Sequence, residues 1–216
     1  MPNSKFVLPF LGYKKNTYEF IGTSFLINPN ILITAGHNVL KEYNRNYDYF
    51  SVYFNGKIII LQSPIFSEFR EELVISGNYN DLAIFLFNES FFSPFILTDR
   101  ALARHEKLEV YKILENFESN SIPLKKDNVT VNIPSFAYRN YPNTNGKARE
   151  SKYENCFNLF ERLASGYSGS PVFKDNLVYG MIVYSPIQDK VFDKSIDFGT
   201  SSLKSNYILK ILKELF

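Results

Sequence analysis

Short runs of strand-forming residues, separated by turn signals, recur along this chain and restrict it to a β-rich fold. Many of these runs are rich in Phe, Tyr, Ile and Val, the residues that pleated strands favour. The runs cover residues 5–13, 17–27, 31–34, 49–54, 57–63, 81–87, 108–114, 128–133, 157–163, 171–174 and 177–184. Strands of this length and spacing are typical of barrels and sandwiches, so we predict an all-β fold.

One long helical pattern stands at the C-terminus, over residues 202–216. From Leu203 onward, apolar residues recur every three or four positions, and lysines occupy the opposite face. Ser201 and Ser202 precede the pattern and are residue types that cap helix N-termini. The sequence therefore predicts a β body closed by a terminal helix over residues 202–216, with these serines at its N-terminus.

Turn and loop signals divide the β runs. Asn55-Gly56, between two strand-like runs, is the strongest hairpin signal in the chain. Residues 115–127 and 139–155 are polar, carry Pro, Asn or Gly with alternating charge, and lack apolar periodicity. We expect both to be surface loops, and the first, near mid-chain, to link two halves of the molecule.

Composition narrows the partners and the compartment. A net charge of +2 and scattered lysines give no reason to expect nucleic acid or an anionic membrane as partner. The single cysteine, Cys156, excludes an intrachain disulfide and a zinc site built from several thiolates, and no cofactor or metal is expected. It also favours a reducing compartment. The apolar stretch at 6–11 is too short for a leader or a membrane span, so we expect a soluble, cytoplasmic protein.

Three separate segments carry residues suited to chemistry, and the first contains a histidine. Thr34-Ala35-Gly36-His37 ends a strand-like run, which would place the imidazole at the rim of a barrel. Taken alone, a histidine here is more often structural.

The second segment, Asn80-Asp81-Leu82-Ala83, places an aspartate at the head of a nearly continuous apolar strand. Burying a carboxylate is costly unless it is paired. A turn residue is the simpler interpretation of Asp81 alone. A histidine partner would offset the cost, and the carboxylate would then fix the tautomer of that histidine.

The third segment is Gly166-Tyr167-Ser168-Gly169-Ser170-Pro171. Glycines around a serine permit a tight, exposed turn that can aim backbone N–H groups of Gly166 and Ser168 into one space, as in an oxyanion hole. By itself the segment fits a Gly/Ser-rich loop between strands equally well.

Together, in their order and flanking residues, the three segments resemble the motifs of the trypsin-like serine peptidases. The stretch ending at His37 resembles that family's Thr-Ala-Ala-His motif, the one around Asp81 its Asp-Ile-Ala motif, and the one around Ser168 its Gly-Asp-Ser-Gly-Gly-Pro motif. The Ser-Gly-Ser-Pro-Val-Phe form is closest to the bacterial glutamyl endopeptidases. Residues 196–201 resemble the last strand of the high-temperature-requirement proteases.

The resemblance implies two packed six-stranded antiparallel Greek-key barrels and a C-terminal helix in one peptidase domain spanning residues 1–216. The first barrel would span residues 1–114, the linker 115–127, the second barrel 128–201 and the helix 202–216. Ser168 would act as nucleophile, His37 as general base and acid, and Asp81 as the residue that orients His37. The amides of Gly166 and Ser168 would form the oxyanion hole, and the substrate would be a protein or peptide.

The resemblance also places the specificity pocket. Its walls would be Arg162, Leu163 and Ala164 on one side and Val183, Tyr184 and Ser185 on the other. With no acidic residue near Arg162, a preference for Lys or Arg substrates is not expected, and an apolar or acidic residue fits better.

Three positions depart from the family pattern. Tyr167 stands where zymogen-activated relatives carry an aspartate that pairs with a newly cut N-terminus, so we expect a site that needs no such cleavage. Val183 replaces a serine that supports the aspartate in many relatives, so Asp81 would be held differently. Glutamyl specialists carry a histidine near Ile182, so their glutamate specificity does not carry over.

Other functions remain to be weighed. The α/β-hydrolase elbow requires a histidine after the nucleophile, whereas His37 and His105 both precede Ser168. A trypsin-like scaffold that acts as a binding or effector module is a second candidate. An enzyme that stays silent until an activating partner docks is a third. His105 lies among charges and is expected in a solvated turn, and Cys156 is expected to be a packed side chain.

Overall fold

A computed structural model describes residues 4–27, 30–39, 47–69, 80–89, 92–114, 124–142, 148–164, 166–184 and 199–216. Within residues 138–151 it describes the backbone only. The strands are β1 Val7–Lys14, β2 Thr17–Ile27, β3 Ile31–Thr34, β4 Tyr49–Phe54, β5 Lys57–Ile60, β6 Phe66–Glu68, β7 Leu82–Leu86, β8 Ile96–Leu97, β9 Lys107–Ile113, β10 Leu124–Ile133, β11 Ala137–Pro142, β12 Ala148–Tyr153, β13 Cys156–Leu159, β14 Pro171–Lys174, β15 Leu177–Tyr184 and β16 Ser201–Lys204. Helix α1 spans Ser205–Leu215, and short 3₁₀ turns cover Ser4–Phe6 and Gly36–Asn38.

The first seven strands form one antiparallel sheet in the order β5-β4-β1-β2-β3-β7-β6. Strands β5 and β6 are consecutive in the chain, and they pair with opposite ends of the sheet, β4 and β7. The run from 57 to 68 therefore bends across the gap and brings the two edges together. Counted as one bent strand, this run makes a six-stranded barrel.

The second sheet has the order β14-β9-β10-β13-β16-β15-β8, and a further pairing of β14 with β15 closes its six antiparallel strands into a barrel. The short strand β8 lies outside the ring and pairs with β15 in parallel. The predicted all-β fold of two antiparallel barrels with a C-terminal helix is confirmed. The first barrel closes through the bent run and the second through the pairing of β14 with β15, and closure of this kind removes the exposed edges of a sheet.

Aromatic side chains join the two barrels through one continuous core. Phe25 of β2 meets Phe95 edge-on at 6.3 Å between ring centroids, and Phe95 meets Phe173 of β14 at 5.4 Å. Phe173 in turn stacks on Tyr111 of β9 at 5.1 Å. All four side chains are buried, so some of the chain's many Phe and Tyr residues form the core that joins the barrels.

Three boundaries differ from those predicted. The change of sheet lies between Leu86 and Ile96, well before residue 114, because β9 pairs with β10 and β14 in the second sheet. The strands on either side of residues 115–123 pair with each other in the second sheet, so the boundary between the two sheets does not lie at 115–127. Strand β10 begins at Leu124, and residues 115–123 lie outside the described part of the chain.

The stretch at 139–155 is not simply a loop. It contains most of a two-stranded hairpin, β11–β12, whose strands pair only with each other. The polar sequence of this stretch lacks the apolar alternation that would have predicted strands. Ser201 and Ser202 lie in β16, and the residue at the helix N-cap is Lys204, whose side chain makes no capping bond. The helix therefore starts three residues after the predicted position at 202.

Core packing in the first barrel gives a stability prediction. Phe85 of β7 is fully buried and its ring lies 5.7 Å from that of Phe10, whereas Phe92 is 80% exposed. Phe85→Ala should lower the free energy of unfolding by about 3–5 kcal/mol, because it removes a buried ring and leaves a cavity. Phe92→Ala, the matched control, should change it by less than about 0.5 kcal/mol. Urea denaturation measures both, and equal effects would contradict the placement of Phe85 in the core.

Candidate active site

His37 and Asp81 form a doubly hydrogen-bonded pair. The backbone N–H of His37 donates to Asp81 Oδ1 at 2.7 Å, and the ring Nδ1 lies 2.6 Å from Oδ2. Asp81 is 2% exposed, while the side chain of His37 keeps about a fifth of its surface in solvent. The buried carboxylate is thus satisfied on both oxygens, as a carboxylate removed from water requires.

Sheet pairing brings these two residues together from 44 positions apart in the chain. Strand β3 ends at Thr34, which pairs with Ala83 near the start of β7. Because the strands are antiparallel, the residues just after β3 and just before β7 leave the sheet at the same end. His37 therefore meets Asp81 in the 3₁₀ turn that follows β3.

The turn that carries Ser168 docks on the first barrel by its carbonyl groups. Thr23 of β2 donates its backbone N–H to the carbonyl of Ser168 at 2.8 Å and its hydroxyl to the carbonyl of Gly166 at 2.8 Å. The amide of Asn38, the residue after His37, approaches the carbonyl of Ser168 at 3.4 Å. Ser168 therefore lies against the segment that carries His37.

The same turn leaves two backbone donors available. Its carbonyls at Gly166, Tyr167 and Ser168 all accept hydrogen bonds, the middle one from the N–H of Ser170 at 2.8 Å. The N–H groups of Gly166 and Ser168 donate to no residue in the described part of the chain. Within that part, no hydrogen bond joins the Ser168 hydroxyl to the His37 ring either.

The residues predicted to wall the pocket lie on both sides of β16. The N–H of Leu163 donates to Thr200 Oγ1 at 2.9 Å, so the segment that begins with Arg162 runs along one side. On the other side Tyr184 pairs with Ser201. Gly169 donates to the carbonyl of Ile182 at 2.8 Å, which ties this wall to the serine turn.

Of the remaining wall residues, Ala164 is exposed and Val183 is buried at 3%. Ser185 lies outside the described residues, as do residues 196–198, on which part of the resemblance rests.

Solved structures share this architecture over almost the whole chain. The active form of the Rv3671c protease from M. tuberculosis matches with a TM-score of 0.64 at 13% identity, covering 99% of this chain and 82% of that one. The scabies mite inactivated protease paralogue S-I1 matches with a TM-score of 0.67 at 14% identity, covering 99% of this chain and 96% of that one. The chain has the chymotrypsin fold. No protein-family model and no curated protein matches it by sequence.

The chymotrypsin fold confirms the architecture that the resemblance implied. It does not decide activity, because its neighbours include a protease in its active form and a paralogue described as inactivated.

Three residues that support the site escaped the sequence analysis. Thr23 makes both docking bonds to the serine turn, and Asn38 is fully buried beside it, with its amide donating to Thr34 Oγ1 at 2.9 Å. Phe69 presents its ring edge-on to the imidazole of His37, 6.1 Å between centroids. Of these three residues, only Asn38 could have been noticed in the sequence, because it directly follows His37. Thr23 and Phe69 become visible only when the barrels meet.

A polar network holds the backbone next to Asp81. The amide of Asn80 donates to Glu68 Oε1 at 3.2 Å, and the phenol of Tyr207 in α1 donates to Glu68 Oε2 at 2.6 Å. From the turn between β12 and β13, Asn155 donates to the Asn80 side-chain oxygen at 3.0 Å. Burial and the Glu68 carboxylate raise the pKa of Tyr207, so its phenol stays a donor. Both barrels and the helix thus contact the residue that precedes Asp81.

His105 and Cys156, which the sequence analysis does not assign to the site, have different neighbours. His105 stacks on Phe160, 5.3 Å between centroids, and Cys156 is fully buried. Within the described residues, no three His, Cys, Asp or Glu side chains are grouped so that they could hold a metal ion. The described helices include none with the length and apolar character needed to cross a bilayer.

Two glycines provide a test of how the serine turn docks. Gly169 and Gly56 both have positive φ, 88° and 82°, but a Cβ on Gly169 would lie 1.9 Å from the carbonyl oxygen of Thr23, whereas one on Gly56 would meet nothing within 4 Å. Gly56→Ala should cost about 1 kcal/mol of folding stability, from the backbone conformation alone.

Gly169→Ala should cost more than about 3 kcal/mol, because the clash with Thr23 adds to the same backbone penalty. Urea denaturation of the two variants isolates the docking term. Equal losses would show that the serine turn does not lie against Thr23.

Proposed function

We propose that this chain is a serine endopeptidase. The observation that carries the proposal is the pair of bonds between His37 and Asp81. An ionised carboxylate only accepts hydrogen bonds, so Nδ1 of His37 carries the ring proton and Nε2 keeps its lone pair. That is the tautomer a general base needs, and a buried carboxylate stabilises the imidazolium once the proton is taken.

The proposed mechanism gives each group one role. Ser168 attacks the scissile carbonyl while Nε2 of His37 takes the hydroxyl proton, and the N–H groups of Gly166 and Ser168 hold the oxyanion. His37 then donates the proton to the leaving amine, and a water activated by His37 hydrolyses the acyl-enzyme. The hydroxyl of Ser168 must rotate towards His37 for the first step, a contact that often forms only when substrate binds.

A second candidate is a silent scaffold that acts as a binding or effector module, or that requires an activating partner. It is favoured by the hydroxyl of Ser168, which makes no hydrogen bond to His37 within the described residues. The inactivated paralogue among the structural neighbours is a precedent for such a protein in the same fold. The intact set of His37, Asp81 and Ser168 favours the peptidase.

A covalent probe separates the two candidates. The purified protein should react with a fluorophosphonate at Ser168 and hydrolyse unstructured protein substrates. Ser168→Ala should abolish both, because it removes the only atom that forms the acyl-enzyme, while leaving the unfolding midpoint almost unchanged.

The control is Ser63→Ala, a serine on the surface that should retain labelling and turnover. Labelling followed by mass spectrometry identifies the modified residue. A Ser168→Ala protein that still hydrolyses peptides, or a wild-type protein that never labels, would contradict the peptidase assignment.

Protein or peptide substrates are proposed, in the cytoplasm, where a chain with one buried cysteine needs no oxidising compartment. We further propose that Arg162 faces the side chain on the acyl side of the cleaved bond, since its segment and β15 enclose β16 next to the serine turn. A fixed guanidinium repels cationic side chains and favours apolar or acidic ones.

Peptide-library profiling tests this pocket. Cleavage after Lys and Arg should be disfavoured, and Arg162→Ala should relax that bias by roughly tenfold, about 1.4 kcal/mol, as the loss of one like-charge contact would. Arg100→Ala is the control, because Arg100 is ion-paired with Glu106 elsewhere on the second barrel. Dominant cleavage after Lys or Arg by the wild type would place Arg162 outside the pocket.

A further inference from the structure

Tyr167 stands between the two candidate oxyanion donors and is anchored inside the second barrel. Its side chain is 5% exposed and packs in a core cluster with Val129, Val172 and Ile182. Its phenol donates a hydrogen bond to Asp127 Oδ2 on β10. The peptide plane before Tyr167 contains the carbonyl of Gly166 and the plane after it contains the N–H of Ser168, so the anchored side chain restrains both of these groups.

Charges around Asp127 keep Tyr167 as the donor of this bond and Asp127 as its acceptor. Lys125 Nζ lies 2.8 Å from the other carboxylate oxygen, and Lys112 Nζ lies 5.6 Å from the centre of the Tyr167 ring. Burial pushes the pKa of Asp127 upward, but the hydrogen bonds from Lys125 and Tyr167, with the charges of Lys125 and Lys112, outweigh it and hold the pKa below its usual value. Burial is the largest cause that raises the pKa of Tyr167, and the hydrogen bond to Asp127 raises it further. At neutral pH the donor and the acceptor therefore keep their roles.

The backbone of the turn is fixed from the other side by the first barrel. Thr23 binds the carbonyls of Gly166 and Ser168, and the carbonyl of Tyr167 accepts from Ser170. The N–H of Ser168 shares a peptide plane with the carbonyl of Tyr167, so the bond from Ser170 points this N–H the opposite way. The bond from Thr23 holds Gly166, the residue of the other donor, by its carbonyl. The phenol of Tyr167 adds a directed hydrogen bond to the packing that holds the middle of this turn to the second barrel.

We propose that Tyr167 is a positioning residue whose hydrogen bond to Asp127 keeps the Gly166 and Ser168 amides in the anion-binding arrangement, without help from a newly cut amino terminus. The proposal rests on the peptidase function proposed above. It replaces an ion pair that forms on cleavage with a phenol–carboxylate bond that forms on folding. The assembled site would thus be the resting state of the protein.

The test removes one oxygen atom. Tyr167→Phe keeps the ring and its contact with Lys112, and loses only the bond to Asp127. We expect kcat for a peptide substrate to fall about 10- to 100-fold with KM changed less than about threefold, since weakened oxyanion donors act on the transition state. The rate constant for fluorophosphonate labelling of Ser168 should fall in parallel. A merely structural role would shift the unfolding midpoint without this split between kcat and KM.

The matched control is Tyr179→Phe. Tyr179 is 3% exposed, belongs to the same core cluster and has Arg100 over its ring at 5.3 Å, yet among the described residues no hydrogen bond joins it to the serine turn. Its variant should keep wild-type kcat. Asp127→Ala should reproduce the loss seen for Tyr167→Phe, and the double variant should lose no more than either single one, because both break the same bond. If Tyr167→Phe does not fold, Asp127→Asn, which retains an acceptor oxygen, should lose less activity than Asp127→Ala.

The outcomes separate this proposal from the function on which it rests. Wild-type protein that neither labels at Ser168 nor turns over substrate overturns both. Active wild type together with an unaffected Tyr167→Phe, or an Asp127→Ala that keeps full kcat, overturns the positioning role and leaves the peptidase standing. Activity that appears only after an N-terminal tag is trimmed away would also overturn it, since the tagged and untagged proteins should have equal kcat.

Discussion

The candidate site depends on the two hydrogen bonds by which Thr23 of the first barrel holds the serine turn of the second. Each is worth about 1 kcal/mol in net stability, which is little for a chain of this size. Their value is geometric, because one residue binds the carbonyls on both sides of Tyr167. These bonds orient the peptide groups that follow Gly166 and Ser168. The atoms that make them belong to the barrel that also carries His37 and Asp81. The cleft is therefore assembled by the docking of the barrels and not by either barrel alone.

The other side of the cleft uses a similar device. Asn80, the residue before Asp81, binds Glu68 of its own barrel and Asn155 of the second barrel, and Glu68 is held in turn by Tyr207 of the terminal helix. The resemblance predicts that Val183 replaces a serine that would support the aspartate, and that Asp81 is held by other groups. The carboxylate of Asp81 obtains both of its described bonds from His37, and the polar network fixes the backbone from which that carboxylate projects.

Much of this architecture could be predicted from the sequence, because the barrel strands bury one face and carry a plain β signal. The strands 17–27, 31–34, 49–54, 171–174 and 177–184 have the predicted bounds, and Asn55-Gly56 forms its hairpin with positive φ at both residues. The hairpin β11–β12 could not be predicted, since its strands pair only with each other and their sequence is polar, without apolar alternation. Ser201 and Ser202 were misassigned to the helix cap because two serines satisfy capping rules, whereas pairing with β15 and β13 keeps them in a strand. Local preference yielded to the closing of the second barrel.

The motifs and the three-dimensional structure carry different information about the site. The resemblance of the three motifs implied that His37 and Asp81 lie together, and two hydrogen bonds join them in the structure. Nothing in the motifs indicated that Tyr167 would find Asp127, since the two are 40 positions apart and meet only when β10 passes beneath the serine turn. A buried phenol at this position needs an acceptor, and a carboxylate flanked by Lys125 supplies one at low cost because its charge is already compensated. The departure from the family pattern at Tyr167 is thus balanced by a partner within the same barrel, so that the turn bearing Ser168 is held by the fold itself.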